Sequence, residues 1–109
     1  MLTTQMIQEL ITGLTQLLGN QVHEIILYGS VARHEHTSES DIDIALILNN
    51  SLTSGQREQL IQWTSEFDLK YERVFSIVDI DLPKMTRWKN ILPFYKNIYE
   101  EGITLWRAA

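Results

Sequence analysis

The chain has 109 residues, 44% hydrophobic and 21% charged, which suits one compact domain with its own core and is too short for two. It contains no cysteine, so disulfides, cysteine-ligated zinc, iron–sulfur clusters and thiol catalysis are excluded. Nine Lys and Arg against fourteen Asp and Glu give a net charge of −5, which opposes non-specific binding to nucleic acid or acidic membranes.

No apolar run approaches the roughly 18 residues of a membrane span. The start, Met1-Leu-Thr-Thr-Gln, has neither the basic opening nor the apolar stretch of a secretory signal. The expectation is a single cytoplasmic domain over residues 1–109, with no linker or internal repeat.

Met6, Ile7, Leu10, Ile11, Leu14, Leu17 and Leu18 recur at helical spacing, with Thr3 or Thr4 as N-cap and Gly19-Asn20 as the stop. Gly13 inside this stripe is a weak spot and not a break. Val22 to Tyr28 reads as a strand ending at Gly29-Ser30, and residues 31–40 turn polar. A second strand over 41–48 stops at Asn49-Asn50. Thr53 or Ser54 caps a helix running to about Lys70, with Leu60, Ile61, Trp63, Phe67 and Leu69 among its apolar positions. Residues 71–80 form a third strand, rich in β-branched side chains. Pro83 closes that region, Pro93 opens a short helix over 94–101 that Gly102 stops, and 103–106 reads as a short closing strand. The alternation predicts an α/β (α+β) fold, one small mixed sheet with helices packed on it.

One constellation carries chemistry. Gly29-Ser30 closes the first strand, and ten residues further on Asp41-Ile42-Asp43 opens the second. A Gly-Ser turn at a helix start offers backbone N–H groups and a hydroxyl to an anion, and glycine permits close approach. Asp41 and Asp43 are two apart on a strand, so they leave the same face, about 6–7 Å apart. Two adjacent carboxylates repel unless a cation sits between them, and oxygen-only ligands suit Mg²⁺ or Mn²⁺ together with substrate phosphates. Ile42 and Ile44 point the other way, into the core.

Leu27-Tyr-Gly-Ser-Val-Ala-Arg33 followed by Ser40-Asp-Ile-Asp-Ile44 resembles the nucleotidyltransferase superfamily of DNA polymerase β type, and within it the minimal nucleotidyltransferase (MNT) group. The ending Leu92-Pro-Phe-Tyr-Lys-Asn97 and Glu101-Gly-Ile-Thr-Leu-Trp106 is similar to small bacterial members, so the likeness covers most of the chain. The resemblance implies the nucleotidyltransferase fold and Mg²⁺-dependent transfer of a nucleoside monophosphate, AMP from ATP or another nucleoside triphosphate, with release of pyrophosphate. Gly29 and Ser30 would contact the triphosphate, Arg33 would steer it, and Asp41 and Asp43 would bind metal. The family uses a third carboxylate from a neighbouring strand. Glu72 is the favoured match for that catalytic and metal-binding position, with Asp79 as the alternative. Asp79 and Asp81 fall on the opposite face from Glu72 by strand alternation.

Small members pair with an all-helical HEPN toxin and act as its antitoxin, by attaching AMP or by occlusion. The chain beyond Asp43 is needed to finish the fold, so a helical HEPN-type partner or a second copy in a homodimer is expected to complete the acceptor site. The alternatives are a non-catalytic nucleotide-binding module that inhibits its partner by contact, and a small-molecule adenylyltransferase acting on antibiotics.

Each feature also has a plainer reading. Asp-x-Asp alone is ordinary strand patterning, and Gly-Ser alone is a common turn; together, at this spacing, they point to a site. Arg33 reads equally as a surface charge. His34 and His36 bracket Glu35 in a polar loop with no further ligand in sight, and read as solvated. Glu66 and Asp68 read as solvated charges, and His23 as structural. Trp63, Trp88 and Trp106 read as packing residues and not base-stacking platforms. No histidine or lysine is placed to activate Ser30 as a nucleophile.

Overall fold

The computed structural model describes residues 2–35 and 40–109. The first helix, α1, spans Thr4–Leu18. Thr3 caps it, its side chain accepting from the Met6 N–H at 3.1 Å, and the chain leaves it at Gly19. Met6, Leu10, Leu14 and Leu18 make its buried stripe, as their spacing predicts. Strand β1 (Val22–Tyr28) leads directly into the four-residue helix α2 (Gly29–Ala32), and β2 spans Ile42–Leu48. Helix α3 (Ser54–Tyr71) starts at a Thr53 capping box with Gln56. It then connects to β3 (Phe75–Asp81), α4 (Leu82–Trp88), α5 (Pro93–Glu101) and β4 (Ile103–Arg107).

The four strands form one mixed sheet in the order β3-β2-β1-β4. β1 is antiparallel to β2 and to β4, and β2 is parallel to β3 through the α3 crossover. Alternation assigns the two faces. Ile25, Leu27, Ile42, Ile44, Leu46 and Phe75 pack under α1 and α3. Ile26, Ala45, Ile47 and Ile80 meet Met85 of α4 and Ile98 of α5 on the other face. Each fully buried Leu or Ile in these layers contributes about 1.5–3 kcal/mol relative to exposure.

Two expectations change. The third strand begins at Phe75 and not at 71, because α3 continues through Tyr71 and ends on Glu72 in the left-handed region at φ 52°. Pro83 does not simply end the strand. It lies in the first turn of α4, a helix the sequence reading passed over, which Asp81 caps by accepting from the Lys84 N–H at 2.9 Å.

Gly13 is occupied space. A Cβ there would collide with the Trp63 indole, so the glycine in α1 lets Trp63 of α3 pack against the helix backbone. Trp63 stacks on Phe67 at 4.7 Å between centroids, in keeping with a packing role.

Candidate active site

The antiparallel register sets Tyr28 opposite Asp43. The chain leaves β1 through Gly29 at φ 75°, a conformation that disfavours any side chain, and a Cβ there would run into the Asp43 carboxylate. Glycine is therefore required by backbone angle and by space. The result sets Gly29, the first residue of α2, against Asp43, with Ser30 next in the chain.

Asp41 precedes β2 and Asp43 is its second residue, so both leave the sheet on one face. Asp41 is exposed and Asp43 half-buried. Burial pushes the Asp43 carboxyl above its ordinary value, the Asp41 charge pushes it further, and Arg33 pulls it back. The Tyr28 hydroxyl is likewise raised, by burial and then by Asp43. A carboxylate pair whose charges oppose each other beside a glycine cradle is a donor set that one divalent cation relieves. Mg²⁺ takes one or two carboxylates and completes its shell with phosphate oxygens and water, so the residues present fit it.

Arg33 comes to the edge of this pair but is held in ion pairs, to Glu35 at 3.5 Å and to Glu101 of α5 at 3.6 Å. His34 is exposed, and His36 lies outside the described residues.

The structure does not gather the expected third acid. Glu72, placed by the sequence reading near the start of the third strand, is instead the exposed C-cap of α3, three residues before β3 begins. Among the described residues, no three His, Asp or Glu side chains are grouped to hold a metal, so Asp41, Asp43 and Glu72 do not form one cluster here. Asp79 pairs in register with Leu46, on the α3 face of the sheet, and receives a bidentate pair from Arg57 at 3.0 and 3.1 Å.

The register partner of Asp43 on β3 is Ser76, whose hydroxyl donates to the Asp41 carboxylate at 3.4 Å. Two further residues brace this corner. Asp68 is not simply solvated: its carboxylate accepts from the Phe75 N–H at 2.9 Å. Burial raises its pKa, the Phe75 bond opposes that, and the charge of Asp41 adds to it. Arg73 donates to the Ser40 carbonyl at 3.2 Å. Sequence reasoning missed Ser76, Asp68 and Arg73 as site neighbours. Alternation places Ser76 on the face of Asp43 only after the parallel register is known, and one sequence does not carry that register.

Hollows of about 500 Å³ between α1 and α3, and about 450 Å³ between α4, α5 and the sheet, include none of Gly29, Ser30, Asp41 or Asp43. The carboxylate pair lies at the start of β2, an inner strand of the sheet, with Asp41 exposed and Asp43 half-buried.

The family described as Polymerase beta, Nucleotidyltransferase matches residues 9–108. Two Methanocaldococcus jannaschii proteins named as candidate protein adenylyltransferases are similar in sequence. One is 28% identical over 66% of this chain and 73% of its own length, the other 29% identical over 92% and 94%. The fold also superposes on chains of solved toxin–antitoxin complexes. For a complex with AMP-PNP, the TM-score is 0.62 at 19% identity, covering 94% of this chain and 73% of the other. For a complex of tri-AMPylated Shewanella oneidensis HEPN toxin with MNT antitoxin, it is 0.58 at 18% identity, covering 95% and 71%.

Proposed function

Because the chain belongs to the polymerase beta nucleotidyltransferase family, we propose that it moves AMP from ATP to a hydroxyl of a helical HEPN-type partner and acts in the cytoplasm as its antitoxin. The observation that supports this reading best is the Asp41–Asp43 pair set against Gly29, with Asp41 exposed to an incoming acceptor. The names of the sequence relatives favour a protein acceptor, and the HEPN–MNT complex favours this partner.

In this reading Gly29, Ser30 and the first N–H groups of α2 orient the triphosphate, and Arg33 adds positive charge at the site. Asp41 and Asp43 would hold Mg²⁺, which when bound would offset charge on the phosphates. The acceptor oxygen attacks the α-phosphorus, the bond to the bridging oxygen of the β-phosphate breaks, and pyrophosphate leaves. The acceptor proton passes to solvent or to a carboxylate at the site. Glu72, the carboxylate that the sequence favours for that duty, is the exposed C-cap of α3. Ser76 orients Asp41 through its hydroxyl.

The second reading, inhibition by contact alone, draws on one observation: among the described residues, no third carboxylate joins the pair. Incubation with α-³²P-ATP and Mg²⁺ in a lysate of the source cells separates the two. Label in one protein band, absent with γ-labelled ATP and with Asp43→Asn, is the expected result. Nucleotide binding without labelled protein would move the weight to the contact inhibitor.

A further inference from the structure

The stretch from α4 into α5 differs in charge from the rest of the chain, although Asp81 caps α4 and Glu100 and Glu101 end α5. Residues 82–99 hold Lys84, Arg87, Lys89 and Lys96 and no Asp or Glu, whereas the remainder has five cations against fourteen acids. Lys84 and Lys96 meet Asp81 and Glu100 only at 4.0 and 3.8 Å, contacts of little net value. Arg87 and Lys89 lie over the Trp88 and Tyr99 rings, at 5.2 and 4.4 Å. The same stretch exposes large apolar side chains: Ile91 is 65% exposed, Leu92 38%, Phe94 45% and Tyr99 54%. Such a concentration marks an interaction surface more than chance exposure does.

One end of the patch, at Phe94, adjoins the carboxylate site, while Lys89 and Tyr99 lie toward His23 and Glu24 at the other end of β1. Phe94 meets Tyr28 edge-to-face at 5.9 Å, and Tyr28 is the ladder partner of Asp43. Resting on the protein-acceptor reading above, we infer that the α4–α5 corner docks an acidic, amphipathic stretch of the acceptor protein and so brings its hydroxyl beside Asp43. Charge complementarity selects this occupant. The overall charge of −5 opposes an extended RNA or an anionic membrane, whereas a protein segment laid along residues 82–99 meets four cations. Aromatic and aliphatic anchors ringed by cations match an acidic helix with one apolar face.

The test uses the full chain carrying Asp43→Asn, labelled with ¹⁵N. It is titrated with a helical peptide of Leu on one face and Glu on the other. Parallel arms use a Lys-for-Glu version of that peptide, an oligouridine RNA and phosphatidylserine vesicles. The expected result is that the Leu/Glu peptide shifts the amides of Ile91, Leu92, Lys96 and Tyr99. Its affinity falls about tenfold in an added Ile91→Glu/Lys96→Glu double change and holds in Leu69→Glu, a control at an exposed site on α3. Equal binding of the Lys peptide, tighter binding of RNA or vesicles, or the same shifts on concentrating the protein alone would overturn it. The readout needs no nucleotide, so the two readings fail separately. Peptide docking with no labelled acceptor sinks the transfer reading alone. Unchanged labelling of an acceptor by the double variant with Asp43 intact sinks the docking surface alone.

Discussion

At Asp43, burial and the Asp41 charge both favour the protonated carboxyl, so the folded state holds that proton more tightly than the unfolded chain does. The sign follows from linkage. Below the ordinary carboxylate pKa both states are protonated and the site carries no penalty; as pH rises through the folded-state value, stability is lost. Asp43→Asn is therefore expected to raise the metal-free Tm at pH 7, a gain that shrinks as the pH falls into the ordinary carboxylate range in a thermal melt. The same change should lower labelled transfer by about 100-fold or more, whereas Glu72→Gln, at an exposed cap, should cost less than about tenfold. Gly29→Ala tests the cradle. It forces a side chain into a left-handed turn and onto the Asp43 carboxylate, so urea unfolding should show a loss of about 1–3 kcal/mol together with reduced transfer.

Helix α3 shows where periodicity misleads. Leu60 and Phe67 are buried, while Ile61 and Leu69 are 61% and 79% exposed. Leu69 lies nine residues beyond Leu60, about half a turn away on a helix of 3.6 residues per turn, so no single packed stripe contains both. Phe67 contacts Trp63, Tyr71 and Phe75 rings, and Phe67→Ala should cost about 3–5 kcal/mol in denaturant unfolding; Leu69→Ala should stay within about 0.5. Tyr71 at the end of the same helix buries its hydroxyl without a hydrogen-bond partner among the described residues. Tyr71→Phe should thus leave stability unchanged or raise it by about 1 kcal/mol. The extension of α3 to Tyr71 also moved Glu72 off the strand. Residues 71–74 have strand-like composition, but the left-handed Glu72 and the Asp68 carboxylate on the Phe75 N–H delay the ladder.

At the scale of the whole molecule, the proposed site lies at the start of β2, away from the hollows between the helices, and nucleotide binding there is proposed to depend on the metal. ATP should raise the Tm only with Mg²⁺ present, corresponding to about 2.7 kcal/mol at a hundredfold excess over Kd, and EDTA should abolish that shift. A shift of equal size in EDTA would argue against the carboxylate pair as the metal site. No helix among the described residues is long and apolar enough to cross a membrane.

The Gly29-Ser30 turn, Asp41 and Asp43, the α1 stripe and most strand positions were legible in the sequence, because each depends on local spacing and on what a glycine or a carboxylate can do by itself. Which residue lies beside Asp43 was not. Ser76 holds that place, and Asp79 faces Arg57 instead, because the parallel β2–β3 register joins two strands separated by the whole of α3, which local spacing does not encode. The basic, apolar α4–α5 corner combines both sources. Its charges stand in the sequence, but only folding sets Phe94 against Tyr28 and so brings one end of the corner to the carboxylates.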